Sequence, residues 1–133
     1  MTRLEFYKAK DGHGWQGFRA FGHTGFAGHG EDIVCAAVSA LTQTAVLGLQ
    51  EVVAIDCLVQ VDERKGSLLC LLPDSLPQED WKQAQLVLDV LYVGLVATEE
   101  EYGKHVSVKE VPYRENESAI IRLKKGWRKH KER

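Results

Sequence analysis

Residues 2–22, TRLEFYKAKDGHGWQGFRAFG, decide how the chain begins to fold. From 2 to 9 apolar and polar side chains alternate, the period-two pattern of a half-buried strand. Lys10-Asp11-Gly12-His13-Gly14 follows, with Asp-Gly as the hairpin signal, and 15–22 reads as the returning strand. Working outward, 22–30 (GHTGFAGHG) has four glycines in nine residues and little to bury, so it reads as a loop. The spacing of Val34, Val38, Leu41, Ala45 and Leu49 then predicts a helix over 31–50 with those residues facing the core. Asp32 is its expected N-cap, Glu31 adds charge at its start, and Cys35, Ser39 and Thr42 form a neighbouring, more polar stripe.

A second hairpin is expected from 55–62 and 67–72, turning at Glu63-Arg64-Lys65-Gly66. Ser75-Leu76-Pro77-Gln78 has the form of a capping box, and a long helix follows over about 76–101, with Trp81, Leu88, Leu91 and Leu95 as core candidates and Gly103 as a stop. Residues 105–112 read as a last strand. The order ββαββαβ predicts an α+β fold, a mixed, mostly antiparallel sheet with two helices packed against it. The domain so predicted spans 1–112. Residues 113–133 form a basic C-terminal extension, expected to be partly disordered, in which Ile120, Ile121 and Leu123 can dock or form a short helix.

A chain of 133 residues with 44% hydrophobic and 27% charged residues is one ordinary globular domain. No wholly apolar run of about 18 residues suggests a membrane span. Glu5 and Lys8 fall where a signal peptide carries its apolar core, so a cytoplasmic location is expected. The three cysteines, at 35, 57 and 70, show no CxxC spacing; reduced thiols are expected, with Cys57 and Cys70 as small buried hydrophobes. Charge is unevenly placed: residues 113–133 hold eight Lys/Arg against three Asp/Glu, while 1–112 hold nine against sixteen. An acidic body with a basic tail suggests two electrostatic roles.

Cys35 has distinctive surroundings. A helix capped at Asp32 places it in the first turn, where free amides and the helix dipole favour an anion such as a thiolate. His23 stands at the other end of the glycine-rich loop, and a His within reach of such a Cys is the activated-nucleophile arrangement for acyl transfer. From spacing alone, a buried structural Cys with a loop His fits equally well. A zinc site from His23, His29 and Cys35 matches no standard spacing and has no evident fourth ligand. The glycines are not a phosphate-binding loop, since no GKS or GKT follows. His13 is expected to be an exposed turn residue.

The segment Gly22-His23-Thr24, followed by Gly30-Glu31-Asp32-Ile33-Val34-Cys35-Ala36-Ala37-Val38-Ser39-Ala40-Leu41, resembles the signature of the ribosomal-processing cysteine protease (Prp) family. That pattern is approximately G-H-A, five variable residues, then G-x-D-x-x-C-A-x-V-S. With the element order, the likeness covers about residues 1–112. It implies a cysteine endopeptidase that removes the N-terminal extension of a large-subunit ribosomal protein, with Cys35 as nucleophile and His23 as general base. It places Asp32 and Ser39 in supporting positions and Gly22, Thr24, Gly25, Gly28 and Gly30 in a substrate loop. It implies a homodimer; no cofactor and no metal are expected. Thr24 departs from the usual alanine, and the basic tail extends past the family's usual end. The alternative is a non-catalytic ribosome-associated module whose tail, with Trp127 among Lys and Arg, binds rRNA phosphates.

Overall fold

The computed structural model describes residues 1–22, 29–115, 117 and 120–125, with the main chain alone at 29–31. Strands β1 (Thr2–Lys8) and β2 (Trp15–Phe21) form the first hairpin, and helix α1 spans His29–Leu47. Strands β3 (Leu58–Asp62) and β4 (Ser67–Leu71) form the second hairpin; helix α2 (Gln78–Tyr102) and strand β5 (Val106–Pro112) follow. The sheet order is β3-β4-β2-β1-β5. All pairs are antiparallel except β1 with β5, which run parallel with Thr2 opposite Val106. The predicted mixed, mostly antiparallel sheet with two helices against it is the fold observed.

Between helices and sheet lies the main core, which includes Leu4, Phe6, Trp15, Phe18, Val34, Val38, Leu88 and Leu95. At its centre Phe6 packs edge-on to Trp15 (5.4 Å) and Tyr92 (5.1 Å). Gln85 clamps α2 onto β2: it accepts the Trp15 N–H at 2.7 Å and donates to the Trp15 carbonyl at 2.8 Å. Gly17 is needed for strand approach, because a Cβ there would collide with the Cys70 carbonyl oxygen. Cys57 and Cys70 are buried free thiols, as expected. They act on each other: the hydrogen bond between them lowers Cys57, whereas that bond and burial push Cys70 well up.

The opposite face of the sheet has its own cover. Tyr7, Leu58, Leu69 and Leu71 point to this side and are buried under Tyr113, Ile120 and Leu123. Residues 120–125 are helical. Lys124 bonds Asp74 at 2.7 Å and Glu115 at 3.4 Å, and Lys10 reaches Glu115 at 3.0 Å. The first half of the basic extension is thus a layer of the fold. Residues 126–133 lie outside the described residues.

Three local expectations are corrected. Helix α1 begins at His29, three residues before Asp32; nothing in His29-Gly30-Glu31 blocks a helix, and acidic Glu31 and Asp32 suit a first turn. Buried Thr42 replaces Leu41, which is 38% exposed, in the α1 core stripe. The Thr42 hydroxyl donates to the Val38 carbonyl at 2.9 Å, which offsets the cost of burying it. The capping box at Ser75 does not form: Pro77 is the N-cap, extended at ψ 145°, with no side-chain cap bond. Leu76 precedes a proline, which disfavours helical geometry there. Asp32–Val52 would pass for a membrane span by length and composition alone, but Val34, Val38, Ala45 and Leu49 of this helix pack into the core against the sheet.

Candidate active site

Three elements converge at the start of β1. Thr2, Leu4 and Phe6 alternate onto the helix-facing side of that strand, and Thr2 is completely buried. Its hydroxyl lies 3.2 Å from the Cys35 sulfur. Cys35 is half-buried on α1, so its thiol sits on the sheet and keeps a side open. Beside Thr2, Arg3 pairs with Phe21 at the end of β2, and Gly22 closes that strand at φ +92°. A Cβ on Gly22 would be 2.7 Å from the Met1 carbonyl oxygen. A left-handed residue without a side chain is therefore required where the chain leaves β2. His23 is the next residue in sequence.

His23, Thr24, Gly25 and Gly28 lie outside the described residues. Gly30 belongs to the first turn of α1 and not to the preceding loop. Asp32 is an exposed residue of that turn, so it does not cap the helix. Cys35 is the seventh helical residue, about 9 Å along the axis from the helix start. The free amides of the first turn and their dipole act within that turn, so they do not serve the sulfur as the earlier cap position implied. Ser39, one turn beyond Cys35, is half-buried and lines a cleft of about 250 Å³ with Thr42, Gln43, Asp62 and Ser67. His13 is an exposed turn residue whose N–H bonds Asp11.

Thr2 was missed by sequence reasoning. Its signal was present: in Thr2-Leu4-Phe6, one face of a strand, only the first position is polar. A buried hydroxyl on a core face calls for a partner from another element. That the partner is a sulfur 33 residues away depends on how α1 crosses the sheet, which alternation along one strand does not specify.

The family described as Cysteine protease Prp matches residues 1–107. The Ribosomal processing cysteine protease Prp of Bacillus subtilis (strain 168) is 33% identical over 91 residues, 68% of this chain and 81% of that protein. A Streptococcus mutans protein of known crystal structure superposes with a TM-score of 0.73 at 25% identity, covering 85% of this chain and 96% of its own. The ribosomal processing protease Prp from S. aureus, solved with a substrate peptide, superposes with a TM-score of 0.74 at 22% identity over 84% of this chain and all of its own. This last likeness speaks for the fold.

Proposed function

The chain belongs to the cysteine protease Prp family, and from that premise we propose that it removes the N-terminal extension of a large-subunit ribosomal protein through a Cys35–His23 dyad. The observation that carries the reading is the convergence of Cys35, Thr2 and Gly22 at one end of the sheet. The sulfur is half-buried there, and the residue preceding His23 packs against the backbone at Met1. In the B. subtilis relative the name itself specifies ribosomal processing.

The steps follow from the two side chains. His23 takes the proton from the Cys35 thiol, and the sulfur attacks the scissile carbonyl carbon. The tetrahedral oxyanion collapses, the peptide C–N bond breaks, and His23 returns its proton to the leaving amine. Water, with His23 as base, then adds to the thioester and frees Cys35. Ser39, one helical turn from Cys35, and Asp32, exposed in the first turn of α1, are assigned supporting roles on the family motif. Gly22, Thr24, Gly25 and Gly28 are assigned to substrate contact on the family motif, while Gly30 lies in the first turn of α1.

A cytoplasmic homodimer is part of this reading. The dimer is supported by exposed apolar side chains on both helices: Ile33 and Leu47 of α1, and Leu86, Val90 and Val93 of α2. The acidic body suits a cationic ribosomal substrate, and the basic end suits accessory contact with rRNA phosphates. The test is mass spectrometry of the ribosomal protein's N-terminus after incubation with wild type, Cys35→Ser and His23→Ala. Trimming by wild type alone supports the dyad; trimming by Cys35→Ser refutes it.

A further inference from the structure

Thr2 opens β1, a strand hydrogen-bonded on both sides, by β2 and by β5. Its N–H donates to the His105 carbonyl at 2.9 Å, and its register partner on β5 is Val106. The hydroxyl is therefore fixed by the sheet and not by a loop, and it meets Cys35 Sγ at 3.2 Å from a completely buried position. Rigid placement of this kind is what a reacting atom requires of its support.

We infer that Thr2 is a positioning residue for Cys35, an assignment that rests on Cys35 being the nucleophile. When the thiol proton passes to His23, the Thr2 O–H donates to the sulfur anion. It holds Sγ in one orientation at the sheet end where β2 runs out to His23. A neutral thiol is a weak donor and a weak acceptor, whereas hydrogen bonds to an ionised partner are about twice as strong as neutral ones. The contact thus strengthens when the sulfur becomes reactive. It weakens again once the sulfur's electron pair forms the bond to the carbonyl carbon, so the hydroxyl does not hold the thioester back from hydrolysis. Proton and electron pair are accounted for by Cys35, His23 and the substrate; Thr2 gives up nothing.

Thr2→Val keeps the branched shape and removes the hydroxyl, while Thr2→Ser keeps the hydroxyl and removes the methyl. Both are assayed for cleavage of a peptide carrying the extended ribosomal N-terminus. Alkylation of Cys35 by iodoacetamide is followed in parallel by mass spectrometry. Thr2→Val should lower kcat and the alkylation rate by about tenfold or more with KM within about twofold, as expected for losing a hydrogen bond to a charged group. Thr2→Ser should restore both rates to within about threefold of wild type. A Thr2→Val protein with unchanged rates overturns the assignment, as does a Thr2→Ser protein as slow as Thr2→Val, which would mark a packing role. Should the valine variant not fold, Thr2→Ala against Thr2→Ser gives the same comparison. Cleavage by Cys35→Ser would instead defeat the nucleophile reading itself. An inactive Cys35→Ser beside a fully active Thr2→Val would defeat the Thr2 assignment alone.

Discussion

Replacing Ile120 with alanine tests whether the start of the C-terminal extension belongs to the fold. Ile120 is 0% exposed and sits with Tyr113 and Leu123 on the sheet face formed by Tyr7, Leu58, Leu69 and Leu71. The substitution removes three carbons. At about 0.8 kcal/mol per buried methylene the transfer loss is about 2.4 kcal/mol. A residual cavity would add to this, but the helix over 120–125 is short and can settle toward the sheet. A total near the low end of the range for Ile→Ala, about 2–3 kcal/mol, is expected. With a urea slope of about 1–3 kcal/mol/M for a small domain, the midpoint should fall by about 1–2 M without a change of slope. Ile121, next in sequence and 39% exposed, is the control, and its alanine variant should shift stability by less than about 1 kcal/mol. Equal effects at 120 and 121, or a loss below about 0.5 kcal/mol at 120, would refute the docking of this segment in solution. The outcome also sets where the tail can be removed: deletion after Lys125 should spare the protein, whereas deletion after Pro112 strips the sheet of a cover.

Gly22→Ala forces a side chain onto a residue at φ +92° with the Met1 carbonyl 2.7 Å away, so it should cost about 1–3 kcal/mol in a thermal melt and slow peptide cleavage, whereas Gly94→Ala, where a Cβ meets nothing within 4 Å, should do neither. Gln85→Leu leaves the N–H and carbonyl of Trp15 without their partner, and calorimetry should show a loss of about 2–4 kcal/mol, with Gln85→Glu less damaging than leucine. Lys10 first, and then Lys124, hold the Glu115 carboxyl below its ordinary value of 4.5. Folding therefore favours its charged form, and the contribution is present above about that pH and lost as pH falls through the depressed value. Protease nicking near the extension should rise on acidification in wild type, and a Glu115→Gln protein should show less of this dependence.

Much of the architecture was legible because two periods dominate the chain. Alternation in TRLEFYK and the Asp-Gly turn placed β1 and β2, and the three-to-four spacing of Leu88, Leu91 and Leu95 placed α2. Failures came where a local signal met a competing constraint. Asp32 is a good capping residue, yet the helix had already begun at His29, so residue preference at one position lost to helical continuity. Leu41 is more apolar than Thr42, but Thr42 returns its hydroxyl to the Val38 carbonyl and fits the core at that angle. The sheet's second cover was half legible: the apolar character of Ile120 and Leu123 was plain, while the surface that receives them is assembled from β1, β3 and β4, with Val111 of β5 packed against it.

The displacement of Cys35 from the helix start changes what must activate it. At the seventh helical position its own N–H lies within the helix ladder, and the first-turn amides are about 9 Å back along the axis. A nucleophile in that place depends on side chains from outside the helix. Thr2 is one, fixed in the sheet at 3.2 Å, and on the proposed mechanism His23, which follows Gly22 in sequence, is the second. One belongs to the rigid sheet and the other to a glycine-rich connection. On the proposed mechanism the sulfur is held in place at all times, while its base is supplied by the segment that substrate engages. Cleavage should then be more sensitive than alkylation to shortening of the connection between His23 and His29. Deleting Ala27 should therefore lower peptide turnover strongly and iodoacetamide reaction of Cys35 weakly. Equal losses in both would mean that the connection, and not β1, positions the sulfur.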